Sequence, residues 1–210
     1  MRANRLTRIL GACGPLSAAS FLAADRIGAA LTPGYSSRTQ AISELIEAGA
    51  PFKHVVDPLL LLFHALVIPF ALGLHRALRD QRRGRIAPVL LAGAGAAGVI
   101  LTLFFPCDPG CAPFVSLRGT LHIFIAIPMG FAILFSILLF AIRFGQDRRW
   151  RGLRPYSLAS FGAGIAMAMT TVLLAETEMV GWMERALTFT YLQWYAVVGA
   201  MVALRPADTP

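Results

Sequence analysis

Long apolar runs separated by short polar stretches extend along the chain. They lie at 9–30, 57–77, 86–105, 119–142, 155–175 and 184–204. Each run has the length of about 20 apolar residues that a helix needs to cross a bilayer. The pattern therefore predicts an all-α fold, a polytopic membrane bundle with six transmembrane helices in a single integral membrane domain over residues 1–210.

The composition agrees with this pattern. Of the 210 residues, 57% are hydrophobic and 14% are charged, whereas soluble domains carry about 25% charged residues. A soluble globular enzyme is therefore excluded. Small residues such as Gly95 and Gly98 in the third run, and Gly164 in the fifth, predict central helices that touch several neighbours.

The basic residues gather on one side of the predicted bundle. That side carries fourteen of the nineteen, namely Arg2, Arg5, Arg8, Arg76, Arg79, Arg82, Arg83, Arg85, Arg143, Arg148, Arg149, Arg151, Arg154 and Arg205, with the acids Asp80, Asp147 and Asp208. The positive-inside rule then places both termini in the cytoplasm of a multi-pass protein of the inner (plasma) membrane. The connections 31–56, 106–118 and 176–183 lie outside. Anionic lipid headgroups, and not nucleic acid, are the partners expected for the net charge of +8.

The first outer connection contains a helical pattern. Segment 37–40 fits a capping box, and Ile42, Leu45 and Ile46 follow at helical spacing before Gly49. We predict a short amphipathic helix at 38–48 on the outer surface, with its apolar side against the bundle or the lipid. The polar positions on its other side are Ser43, Glu44 and Glu47.

The second outer connection contains two cysteines, Cys107 and Cys111, four residues apart around a Pro-Gly turn. On the oxidising side of a membrane such a pair predicts a disulfide. Two cysteines alone make a poor zinc site. The bridge would fix the direction in which Asp108 points.

Ionisable residues within or beside the spans are costly there, and each is a candidate for function. His64 follows Asp57 by two helical turns on one face, and His122 follows Arg118 by one turn. We expect these side chains to converge in a polar pocket beneath the outer surface. The candidate site residues are His122, His64, Asp57, Asp108, Ser43 and Glu44.

A purely structural role is the alternative for these charges. Acid–base pairs at helix ends, such as Asp25 or Glu184 with Arg118 or Arg185, can simply pin helices together. The two histidines could equally be satisfied residues of the core.

Several short motifs follow one another along nearly the whole chain, each occurring once. They are Pro33-Gly34-Tyr35, Ile42-Ser43-Glu44-Leu45, Phe105-Pro106 with Asp108 and Gly110, and Gly119 with His122. On these residues the chain resembles the domain-of-unknown-function 998 family of six-span bacterial and archaeal membrane proteins. The resemblance implies the six-span architecture but neither a reaction nor a ligand, and Cys107 and Cys111 depart from the commoner form of the second outer loop. The first outer loop also resembles that of eukaryotic six-span proteins of GPI-anchor remodelling, which implies lipid-linked work.

Three functions fit these residues. The first is a protein that binds a lipid, or an enzyme that acts on its headgroup or acyl ester at the outer leaflet. His122 or His64 would be the general base, Asp57 or Asp108 would orient it, and the nucleophile would be Ser43 or a water. A divalent metal could join through His64, His122 and Asp108, although no motif such as HExxH is present.

The second function is a haem-binding electron carrier, in which His64 and His122 would ligate a single haem. The third is a non-catalytic scaffold or a subunit of a membrane complex, as a homo-oligomer or with a partner. On the sequence alone the chain is as consistent with a binding protein as with an enzyme.

Overall fold

The computed structural model describes residues 2–78, 84–175 and 177–205, with residues 2–4 as backbone only. Within these residues, six α-helices are long and apolar enough to cross a membrane, and there is no strand. The helices are α1 Arg2–Leu31, α2 Lys53–Ala77, α3 Ile86–Phe104, α4 Leu117–Gln146, α5 Leu153–Leu173 and α6 Val180–Leu204. The predicted all-α class and its six spans are confirmed. The side chains of Arg2, Arg79, Asp80, Arg82, Arg83, Glu176 and Asp208 lie outside the described part of the chain.

The helices form a ring. Each packs mainly against its neighbours in the chain, and α6 returns to pack against α1, with a smaller contact to α2. The prediction of a central third and fifth helix is therefore wrong. A Cβ built at Gly98 would overlap the His64 ring, so this glycine permits one close approach of α3 to α2, whereas Gly93 and Gly162 face open space.

Polar side chains connect neighbouring helices inside the apolar bundle. Ser20 Oγ of α1 donates to the Leu59 carbonyl of α2 at 2.7 Å. Trp194 Nε1 of α6 donates to Ser157 Oγ of α5 at 2.8 Å. Hydrogen bonds of this kind contribute about 1 kcal/mol each between membrane helices, so they fix the register of the pairs more than they stabilise them.

The first long connection carries a 3-10 helix, Ile42–Ile46, which we call the roof helix. Its apolar residues Ile42, Leu45 and Ile46 are buried against the bundle. A Cβ built at Gly28 of α1 would lie 2.9 Å from Leu45 Cδ1, so α1 approaches the roof helix closely. The end of the bundle that carries this helix is called the roof face below.

The roof helix is shorter than the predicted segment 38–48, and the capping box expected at 37–40 is wrong. The Ser37 carbonyl instead accepts a hydrogen bond from Arg185 Nη1 at 2.9 Å, which holds this stretch as a turn. Glu44 supplies the cap, because its Oε1 accepts from the Ala41 N–H at 2.7 Å. A contact with α6, distant in sequence, thus decides where the helix begins.

Candidate functional site

A cavity of about 120 Å³ lies inside the ring beneath the roof helix, and we call it the central cavity. Its walls come from α1, α2, α3, α4, α6 and the roof helix. The polar residues that line it are Ser43, His64, Thr102, His122, Glu184, Thr188 and Tyr191. A space of this size with several polar groups in a mainly apolar wall holds several waters or a small polar group.

His122 is buried and oriented by the backbone. Its Nδ1 lies 2.7 Å from the Phe105 carbonyl oxygen. Because a carbonyl oxygen can only accept, this hydrogen bond requires the proton on Nδ1. In the neutral ring Nε2 is then the nitrogen that can accept a proton.

His64 reaches the same cavity from α2. It is only 7% exposed, and one edge of its ring lies over Gly98 of α3. The neighbouring Phe63 ring has its centroid 4.5 Å away. No hydrogen bond joins the His64 ring to another residue that the structure describes, so this part of the chain supplies the ring with no hydrogen-bond partner.

Glu184 also lines the cavity. Its Oε2 accepts the Ile42 N–H at 2.7 Å, which attaches the roof helix to α6. The sequence indicated a helix pin at this position, and the contact with Ile42 agrees with that role. Its place in the cavity depends on the return of α6 to α1, for which the chain carries no local signal.

Ser43 lies at the edge of the cavity, under the second long connection. Cys107 and Cys111 are joined in a disulfide, with their Cα atoms 5.0 Å apart. Ser43 Oγ is 3.1 Å from Cys111 Sγ, and the Ala48 N–H donates to the Cys107 carbonyl at 2.9 Å. The disulfide loop therefore lies over the roof helix and restrains it.

The three predicted carboxylates are placed elsewhere. Asp57 pairs with Lys53 at 2.8 Å. Asp108 is buried and accepts the Ser116 N–H at 2.9 Å and the Ser116 hydroxyl at 2.7 Å. Glu44 caps the roof helix. None of the three lines the cavity. Asp57 or Asp108 was expected to orient a histidine, but the Phe105 carbonyl does so for His122.

Neither cofactor hypothesis gains support from this geometry. Over the described ranges, no three residues among His, Cys, Asp and Glu are grouped so that they could hold a metal. Of the proposed ligands, His64 and His122 share the cavity while Asp108 is used at the start of α4. The cavity of about 120 Å³ is also smaller than the roughly 300–1,000 Å³ of pockets for drug-sized ligands, and a haem exceeds its volume.

A buried ion pair holds the first connection to the bundle. Arg185 Nη2 donates to Asp25 Oδ1 and to Tyr35 Oη, each at 2.7 Å. Its Nη1 donates to the Ser37 and Gln40 carbonyls at 2.9 and 3.0 Å. Burial raises the pKa of Tyr35 to about 12, against the opposite effect of the hydrogen bond from Arg185. The arginine thus positions the backbone that leads into the roof helix.

A second cavity, of about 280 Å³, lies between α1 and α6, and we call it the lateral groove. Leu22 and Phe189, which are exposed on the surface of the bundle, line it. It shares Phe21, Ile42 and Thr188 with the central cavity. The two spaces therefore adjoin at these three residues, and the groove lies on the outer side of them, toward the surface of the bundle.

These features define a multi-pass integral membrane protein whose apolar helices contact lipid. A family model described as a protein of unknown function, DUF998, matches residues 15–201. The chain therefore belongs to the DUF998 family, which confirms the resemblance of its motifs. Comparison with curated proteins returns no match, and neither does comparison with solved structures.

Proposed function

We propose that this protein binds a lipid with its headgroup in the central cavity, and acts on that headgroup or on an acyl ester. The supporting observation is the cavity itself, because it brings His64, His122 and Glu184 together beneath the roof helix. Ionisable groups are costly at membrane depth and are retained where they meet a ligand, a proton path or one another. A binding site for the polar part of a lipid accounts for this cost.

The lateral groove supports access from the bilayer. A headgroup would pass Thr188, which lines both spaces, while the acyl chains stay between Leu22 and Phe189. The lipid would then keep its tails in contact with apolar surface throughout. This route requires no opening of the roof helix.

His122 is the general base in this proposal. Its Nε2 takes the proton of a water, or of the Ser43 hydroxyl, as that oxygen attacks the phosphorus of the headgroup or the carbonyl carbon of an acyl ester. It returns the proton to the alkoxide that departs when the ester bond breaks. Where Ser43 attacks, a water activated by the same Nε2 then hydrolyses the ester on Ser43 and regenerates its hydroxyl. The Phe105 carbonyl keeps the proton on Nδ1 and so keeps Nε2 ready to accept.

We further propose that the roof face is extracytoplasmic and that both termini lie in the cytoplasm of the inner membrane. The distribution of arginines supports this orientation through the positive-inside rule, and the disulfide agrees with an oxidising compartment. Lys53 is the only lysine of the chain and lies at the roof face. Labelling of Lys53 in intact cells with a membrane-impermeant amine reagent tests the assignment, and labelling only after permeabilisation would reverse it.

The catalytic proposal predicts that His122→Ala slows lipid turnover by about a hundredfold, the usual contribution of a general base. Protein reconstituted in nanodiscs of mixed phospholipids is incubated, and mass spectrometry follows lysophospholipid, free fatty acid and released headgroup. His54→Ala is the matched control. His54 lies in the first turn of α2, at the same end of the bundle, where it is exposed and does not line the cavity.

Equal turnover by the wild type and His122→Ala would remove His122 from the chemistry. A wild type that retains lipid through purification but releases no product would leave a binding protein and end the enzymatic part of the proposal. A wild type that neither retains nor converts lipid would end both parts.

A further inference from the structure

We infer that the headgroup held in the central cavity carries an ammonium cation, so that the lipid is one with a primary or quaternary amine. This inference rests on the proposed function and specifies its ligand. The inference is argued from a carboxylate, a histidine without a hydrogen-bond partner in the described chain, and three aromatic rings that surround one small cavity.

Among the residues that line the cavity, Glu184 is the one that carries a carboxylate. Its Oε2 accepts the Ile42 N–H, and no other donor in the described chain reaches the carboxylate. Oε1 is thus left to a ligand. A carboxylate in a low-dielectric space is stabilised by a cation, because an unpaired buried charge is costly.

Two basic residues close to groups that line the cavity have other partners. The Arg185 guanidinium is used by Asp25, by the Tyr35 hydroxyl and by backbone carbonyls. Lys53 Nζ lies 2.8 Å from Asp57 and donates to the Ile46 carbonyl at 3.0 Å. Neither Arg185 nor Lys53 lines the central cavity. No lysine or arginine in the described part of the chain lines the cavity, so a ligand can supply a cation in direct contact with the carboxylate.

The rest of the lining suits an alkylammonium group. Phe21, Phe63 and Tyr191 bring aromatic rings to the cavity, and a cation over the face of an aromatic ring is attracted by the ring quadrupole. The buried His64 ring has no hydrogen-bond partner in the described chain, and a neutral imidazole nitrogen can accept from a primary ammonium. This missing partner is a second observation, separate from Glu184, that indicates a donor ligand.

The lateral groove provides for the phosphate of the same lipid. Arg26 lines the groove, and its side chain is 76% exposed. A phosphate next to this guanidinium would lie at the groove while its ammonium enters the cavity beyond Thr188. The order of charges, cation inside and anion at the groove, is that of a zwitterionic phospholipid headgroup. In this pose the acyl esters lie beyond the phosphate, and His122 lines the central cavity but not the groove. The inference therefore selects action on the headgroup, and not on an acyl ester, from the two reactions proposed above.

The test offers the purified full-length protein an equimolar mixture of phosphatidylethanolamine, phosphatidylcholine and phosphatidylglycerol with identical acyl chains, and counts retained lipids by native mass spectrometry. We expect at least one ammonium lipid to be retained about tenfold over phosphatidylglycerol, which corresponds to about 1.4 kcal/mol. Comparison of the first two lipids distinguishes a primary from a quaternary ammonium. Glu184→Gln should abolish the preference, since the amide still accepts the Ile42 N–H but carries no charge. Glu178→Gln is the control, because that side chain is 83% exposed.

Retention of phosphatidylglycerol equal to that of both ammonium lipids would overturn the inference while leaving lipid binding intact. An undiminished preference in folded Glu184→Gln would overturn it too. Retention of no lipid would overturn the proposed function itself. Should Glu184→Gln fail to fold, the wild-type selectivity alone decides.

Discussion

Replacement of Arg185 by alanine is expected to lower the free energy of unfolding by about 3–5 kcal/mol, the usual cost of removing one partner of a buried ion pair. Asp25 would keep a buried charge and lose the guanidinium 2.7 Å away, with only the exposed Arg26 left beside it at 3.9 Å. The Tyr35 hydroxyl and the Ser37 and Gln40 carbonyls would lose a donor in the same step. Arg185→Lys should rescue little, because an ammonium cannot reproduce the planar fork that reaches these acceptors.

The measurement is denaturant or SDS titration of the protein in mixed micelles, followed by circular dichroism. Arg38→Ala is the matched control, since Arg38 lies at the same face but is 53% exposed, and its change should stay within about 0.5 kcal/mol. The double variant Asp25→Ala with Arg185→Ala should cost less than the sum of the single variants. If Arg185→Ala and Arg38→Ala were equally stable, the ion pair of Arg185 with Asp25 would not hold the roof helix to the bundle.

The second large effect is expected from a single methyl group. A Cβ at position 98 would overlap Nδ1, Cε1 and Cγ of His64, and His64 is buried, so either the ring must rotate or α3 must move away from α2. Overpacking of this kind costs about 1–3 kcal/mol. Gly98→Ala should therefore destabilise the bundle and displace His64 from the central cavity.

Gly93→Ala provides a control on the same helix, because a Cβ there meets no atom within 4 Å. An alanine in place of an unconstrained helical glycine stabilises a helix by about 0.5–1 kcal/mol. The two variants should thus change stability in opposite directions in the same unfolding assay, and only Gly98→Ala should reduce lipid retention. Equal effects of the two would contradict the close packing of α3 on His64.

The spans could be predicted from the sequence because a bilayer imposes one length on every crossing helix. The cysteine pair was visible because its partners are four residues apart. The histidines were visible because an ionisable group inside an apolar run is conspicuous. Each of these features is local, and the chain alone is enough to show it.

The assignment of the carboxylates depended on contacts that no local pattern shows. Asp108 binds Ser116, the N-cap residue of α4, because the second connection turns back to the start of that helix. Glu184 reaches the cavity because α6 closes the ring against α1. Asp57 is the exception, since its pairing with Lys53 four residues earlier could have been anticipated from helical spacing.

The most direct test of the central claim is a crystal structure of the protein grown from a lipid mesophase doped with phosphatidylethanolamine. We expect density for a headgroup in the central cavity, with its amine near Glu184 and His64 and its acyl chains leaving between Leu22 and Phe189. A cavity that contains water alone, with all lipid confined to the outer surface of the helices, would contradict the account.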